Sequence, residues 1–238
     1  MSVLEKVFYS RPGQAIATRA GLPEPEQLRR GTAWPHHEVV LAAHGGARLA
    51  AETIALLGLA AGAPILDDAG CERAPGYAGK IGALVVDATE LRAISDLEWL
   101  RAVLRPAVRS LEPSGRIVLL ARGPQDVTGL EAKAVAQALD GIDRAVGKEL
   151  RRGATTNLIQ VAPEAGPVAL ASTLGFLLQG RSAFVDGQTW RVGAAAAPAP
   201  GAEPLARRIV VVTGAARGIG AAIATVVARD GATVVAVD

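Results

Sequence analysis

Aromatic residues make up only 3% of the 238-residue chain, although half of its residues are hydrophobic. A core built from it must rest on Ala, Val, Leu and Ile, as in α/β proteins with buried parallel strands. The single cysteine, Cys71, excludes an internal disulfide, and nothing argues for an oxidising compartment. A formal charge of +2 leaves no electrostatic footprint for nucleic acid or an anionic membrane. No apolar run reaches membrane-spanning length, and Met1 to Ser10 mixes acid and base without an apolar signal core. The chain is therefore expected to be soluble and cytoplasmic, with no nucleic-acid or membrane partner. Metal ligands are equally sparse. His36-His37 has no third ligand at a recognisable spacing, so no metal site is expected.

What the chain does have is a glycine loop near its end. An apolar run, Arg208 to Val212, leads into Thr213-Gly214-Ala215-Ala216-Arg217-Gly218-Ile219-Gly220, and an alanine-rich helical pattern follows. A second apolar run, Thr233 to Val237, closes on Asp238. Strand, glycine loop, helix and strand make a βαβ unit with a dinucleotide fingerprint on its first turn. Glycines let the backbone turn tightly and approach a pyrophosphate, whose charge meets the positive end of the helix. Asp238 follows Gly220 by 18 residues, near the roughly 20 at which an acid meets the adenosine ribose hydroxyls.

The chain before it alternates strand and helix. Residues 1–37 carry glycines and prolines at turn spacing and read as an irregular segment laid over the first domain. From Glu38, EVVLAA is a strand, GGARLAAETIALLGLAAG a loop and helix, and PILDD a second strand. GALVVDAT is a buried strand, and SDLEWLRAVLRPAVRSLEPSG a helix with Ser95 as N-cap and Gly115 at its stop. GRIVLLAR is a strand, VTGLEAKAVAQALDGIDRAVGKELRRG a long helix, and TTNLIQVAP a strand. GPVALASTLGFLLQG is a helix with Pro167 in its first turn, and SAFVDGQTWRV ends the series as a short strand. The pattern predicts an α/β domain over 38–191, a doubly wound parallel sheet of about five or six strands with a Rossmann or flavodoxin-like outline. An Ala/Pro-rich linker over 192–206 precedes the βαβ unit of a second Rossmann domain, 207–238.

The terminal fingerprint also overlays the first strand and helix at a shift of 169 positions. Gly45 meets Gly214, Arg48 meets Arg217, Ile54 meets Ile223 and Gly62 meets Gly231. Gly218 and Gly220 fall on Leu49 and Ala51, however, and Thr213 on His44. Side chains at Leu49 and Ala51 would stand where a pyrophosphate must approach the backbone. A flavin phosphate loop is no better served, since AAHGGARLA offers no hydroxyl after the first strand.

The spacing TGxxxGxG, spelled TGAARGIG here, resembles the short-chain dehydrogenase/reductase family, and most closely its 3-oxoacyl-[acyl-carrier-protein] reductases. The resemblance extends through the first domain with the chemistry removed. Val86, Asp87 and Thr89 stand in place of the two asparagines and the glycine of the family's Asn-Asn-Ala-Gly strand end. GRIVLLAR ends in Ala121-Arg122 where the catalytic serine belongs, and the Tyr and Lys of YxxxK fall on Ala132 and Ala136. Tyr77-Ala78-Gly79-Lys80 is one residue short of YxxxK and precedes its strand, so that pair reads as structural. A silent first domain, a linker and an intact TGAARGIG are together similar to long-form reductases carrying an extra N-terminal flavodoxin-like domain.

The resemblance implies an NAD(P)H-dependent reductase of 3-oxoacyl thioesters, on acyl-carrier protein or CoA, in fatty-acid metabolism. Gly214, Gly218 and Gly220 would shape the phosphate loop, Ile219 close over the dinucleotide and Thr213 tie the loop to the sheet. Asp238 would accept from the ribose hydroxyls and repel a 2′-phosphate, favouring NAD, while Arg217 argues for NADP. No catalytic residue is assigned, and the 32 residues from Arg207 to Asp238 cannot bury a Rossmann core alone. The chain is expected to be an inactive fragment of a homo-oligomeric enzyme. Two other readings stay open: a first domain serving only as a scaffold for dimerisation or carrier docking, and a dehydrogenase of another alcohol or ketone.

Overall fold

The apolar runs of the sequence become parallel strands covered on both faces. In this computed structural model residues 10, 12, 13, 19, 28–46, 48–70, 72–196 and 203–238 are described. Most of the irregular segment expected over 1–37, and residues 197–202 of the expected linker, lie outside them. The chain divides into two compact units, Met1–Ala195 and Ala196–Asp238.

In the first unit β3 (Ile81–Asp87) is buried at every position, as only a central strand with two covered faces can be. Around it β1 (Val39–Ala43), β2 (Ala61–Gly62), β4 (Leu111–Ala121), β5 (Thr155–Val161) and β6 (Gln188–Val192) form one sheet. Their order is β2-β1-β3-β4-β5-β6, parallel throughout. Side chains alternate between the faces. Val40, Leu84, Ile117 and Leu158 join the core under α2 (Asp96–Ser110) and α3 (Leu130–Glu149). Val39, Ala83, Val118 and Ile159 join the core under α1 (Arg48–Leu56) and α4 (Pro167–Leu178). This is the doubly wound α/β sheet expected from the alternation, in the flavodoxin order with one strand added. No helix among the described residues is long and apolar enough to cross a membrane.

Three local expectations are corrected. The second strand is not PILDD but Ala61–Gly62, which ends one residue ahead of it. Pro64 has no N–H to give to a ladder, and pairing stops ahead of it. Ser95 precedes α2 but makes no side-chain cap. Instead the Asp96 carboxylate accepts from the Arg92 and Ala93 N–H groups at 2.8 and 2.9 Å, closing the turn before the helix. That helix ends at Ser110, not at Gly115, because Leu111 already pairs with Ile81 before the register jumps to Ala83 and Arg116.

The crossover from β2 to β3 has no helix among its described residues, and a loop fastened to α2 takes its place. Pro106 lies inside α2, where it cannot donate to the carbonyl four residues back. The Asp67 N–H takes that carbonyl, Ala102 O, at 2.9 Å. The Asp67 carboxylate accepts from Arg101 and Arg105 at 2.9 and 2.8 Å, and their hydrogen bonds hold it below its ordinary range although burial opposes them.

Residues 28–37 run past the starts of β3 and β4. Arg29 N–H donates to Ser114 Oγ at 3.0 Å, and a Cβ on Gly82 would collide with the His37 carbonyl. Trp34 packs on the core beneath α1 and α4.

The second unit is β7 (Ile209–Thr213), α5 (Gly218–Arg229) and β8 (Thr233–Val237), with the two strands parallel. Only Val212 of its large apolar residues is buried, and α5 has no buried residue. Alternation puts Ile209, Val211, Val235 and Val237 on one face, between 44% and 74% exposed.

Candidate functional site

The glycine loop joins β7 to α5, and each of its glycines has its own reason. Gly214 and Gly218 take left-handed φ angles of +66° and +62°, a conformation costly for any residue with a Cβ. Gly220 is needed for space. A Cβ there would overlap the Gly214 carbonyl oxygen, so the first turn of α5 lies directly on the loop backbone. Arg217 precedes the helix in extended conformation and supplies no side-chain cap, and the first turn carries no acid. The N–H groups of that turn are left open at the positive end of the helix.

All seven residues expected at the site gather at the C-terminal ends of β7 and β8. The Ala215 N–H donates to the Val237 carbonyl at 3.2 Å, which brings Asp238, the next residue, beside the loop. That backbone bond ties loop to sheet. The exposed Thr213 hydroxyl makes no hydrogen bond among the described residues. Ile219 is 82% exposed at the loop surface, and Arg217, also exposed, has no ion pair among the described residues. The arrangement offers backbone donors and a positive helix end for a phosphate, with a carboxylate one strand away for hydroxyl donors.

The corresponding place in the first unit is filled. Gly45 keeps a left-handed φ of +82°, but a Cβ there would meet Glu90 Cγ at 3.3 Å, so the Glu90 side chain lies over the loop. Leu49 packs against the core beneath α1 and α4, and Ala51 is exposed. The repeat holds through strand and helix and then slips. Val40 pairs with Gly62, whereas Ile209, its counterpart, pairs with Thr233, two positions further on. Ala132 and Ala136, on which the tyrosine and lysine of the motif fall, are buried together with Val127. Arg122 spends its guanidinium on the Val161 and Ala162 carbonyls at 3.0 and 2.9 Å.

No protein-family profile matches the chain, and no curated protein does. Solved structures with a similar backbone include a short-chain dehydrogenase/reductase from Serratia marcescens, 18% identical with a TM-score of 0.46. The match covers 67% of this chain and 97% of that one. The aldohexose dehydrogenase of Thermoplasma acidophilum is 15% identical at a TM-score of 0.45, over 71% of this chain and 100% of the other. The enoyl-acyl-carrier-protein reductase of Plasmodium berghei, solved with triclosan, is 19% identical at 0.40, over 48% of this chain. This chain spans 57% of that enzyme's length. At identities and TM-scores this low, none of them says what this chain does.

The apolar face of Leu97 to Leu111, which the sequence offers equally for pairing between subunits or for burial within the domain, borders a groove in the first unit. Leu97, Leu104 and Val108 of α2 face Ile142 and Val146 of α3 across a cavity of about 490 Å³. The spacing of the α2 residues carries that signal in the sequence.

Proposed function

We propose that the βαβ unit holds the adenosine–pyrophosphate end of a nicotinamide dinucleotide. The chain is then part of a reductase of 3-oxoacyl thioesters carried on acyl-carrier protein or CoA. The observation that supports this reading is the seat of α5 on the Gly214 carbonyl through Gly220, with an uncapped helix end above it. The pyrophosphate would sit on the N–H groups of that first turn, and Asp238 would accept from the ribose hydroxyls. The nicotinamide, when bound, supplies hydride to a carbonyl carbon. Asp238 disfavours a 2′-phosphate and Arg217 attracts one, and NAD is the preferred cofactor.

The experiment is a titration of the whole chain with NADH, followed by nicotinamide fluorescence. Gly220→Val should weaken binding about tenfold or more by pushing the helix off the loop. Asp238→Ser should narrow the preference for NADH over NADPH. Failure of the unaltered chain to bind either dinucleotide would refute the reading.

A second reading concerns the first unit as a scaffold for a homo-oligomer, and the groove between α2 and α3 favours it. An apolar recess of that size on a helical layer suits the matching face of a second copy. Light scattering of the whole chain should give a dimer, and Val108→Arg, which puts a charge at the groove, should give a monomer. A monomeric unaltered chain removes this role.

A further inference from the structure

A second recess of about 430 Å³ lies between the loop ahead of β3 and the C-terminal end of α2. Its ionisable lining residues are Arg73, Tyr77, Lys80 and Arg109, and no acid lines it. Arg73, Lys80 and Arg109 are all exposed, and none has a carboxylate partner among the described residues. Lys80 gives one bond, Nζ to the Arg109 carbonyl at 3.3 Å.

The neutral groups are arranged as donors too. The Tyr77 hydroxyl oxygen accepts from the Ile65 N–H at 3.1 Å, and Ser110 Oγ accepts from the Tyr77 N–H at 3.4 Å. Each hydroxyl therefore keeps its own proton to give. Burial holds the Tyr77 phenol above its ordinary range, so it stays protonated. Gly76 and Gly79 border the recess, and a Cβ on either would meet nothing, which leaves the backbone side open. Glu38, whose charge is felt at Tyr77, lies outside the lining, where its carboxylate meets Gly62.

We propose that this recess binds a phosphate monoester, its charge met by Arg73, Lys80 and Arg109 and its oxygens oriented by the Tyr77 and Ser110 hydroxyls. Three cations without acids and two hydroxyls with free protons form a set of donors lacking only an acceptor. The simpler account of Arg109 and Lys80 is that they answer the negative end of α2. That account predicts no saturable ligand and leaves Arg73 unexplained.

The test uses the whole chain carrying Gly220→Val, which disables the glycine loop as a competing phosphate site. Inorganic phosphate and phenyl phosphate are titrated at constant ionic strength, with binding read by 31P line broadening and calorimetry. Saturable binding of phenyl phosphate is expected, tighter than that of inorganic phosphate if the organic group enters the recess. Equal affinities assign the site to free phosphate. Arg109→Gln or Lys80→Gln should each weaken binding about tenfold, as expected for one lost charge-assisted bond. Arg48→Gln, on α1, should leave it unchanged. Absence of saturable binding, or equal binding by an Arg73→Gln/Lys80→Gln/Arg109→Gln variant, overturns the proposal.

Discussion

Glu112→Ala should cost the folded chain about 3–5 kcal/mol, the usual consequence of removing one member of a buried ionic cluster. Glu112 is 2% exposed at the start of β4. Its Oε1 accepts from Arg29 Nη1 at 2.7 Å and from the His36 N–H at 3.0 Å, and His37 Nδ1 lies 2.5 Å from Oε2. Arg116, 1% exposed, donates to the Ser114 and Gly115 carbonyls, while its Nε and Nη2 have no partner among the described residues. Burial, then the charge of Arg29, lowers Arg116 to about 10, and Glu112 opposes the fall. Without Glu112 the charges of Arg29 and Arg116 repel each other with only Asp186 to offset them at Arg116.

Urea unfolding checks the size of the loss through a lower midpoint at unchanged slope. Burial would raise the Glu112 carboxyl, but the bonds from His37, the His36 N–H and Arg29 outweigh it and hold it low. Its contribution is therefore complete above the ordinary carboxylate range and disappears as pH falls through the depressed value. Glu112→Ala should erase that acid-side slope as well as lower the plateau. A variant as stable as the parent at neutral pH would show that the cluster holds nothing together.

Asp143→Asn should act in the opposite direction, stabilising the chain at pH 8. Asp143 lies on α3, 1% exposed, and its Oδ1 accepts the Thr156 hydroxyl at 2.6 Å while Oδ2 has no partner among the described residues. Burial pushes its carboxyl up to about 7 against the Thr156 bond, and Asp186 and Asp140 add to the rise. A folded-state value above the unfolded one means that stability is complete below the ordinary carboxylate range and is lost as pH rises through about 7. The linkage amounts to roughly 4 kcal/mol as an upper bound. Asparagine keeps the acceptor for Thr156 and removes the ionisation, so the variant should lose this slope and gain most at alkaline pH. Unfolding curves between pH 4 and 9 decide it, and no gain at pH 8 would sink the idea. With Glu112 acting on the acid side, the parent chain should be most stable below neutrality.

The strand and helix series was legible because each element carries its own period. Val39, Ala83 and Val118 face one layer and Val40, Leu84 and Ile117 the other, an alternation that neighbours along the chain already declare. The glycine loop was legible for the same reason, since its steric demands are met within eight residues. What failed depends on distant partners. Glu112, Ser114 and Gly115 read as the polar end of a helix, yet Arg29, 83 residues away from Glu112, makes them the start of a strand. Asp143 follows Asp140 on a helix with many charges, and nothing near it in the sequence marks it as buried. Only the sheet beneath it, through Thr156, turns it into a buried acid.

The proline in α2 has a further consequence for how the first unit comes apart. By removing one rung of the helix it leaves the Ala102 carbonyl to the Asp67 N–H, and the crossover loop hangs from that point. A loop with no helix of its own would ordinarily open at little cost, independently of its neighbours. Here the Asp67 N–H and carboxylate fasten the loop to the helix, so opening the loop must break those bonds as well. The second strand, two residues long and at the sheet edge, is followed within five residues by that anchor at Asp67.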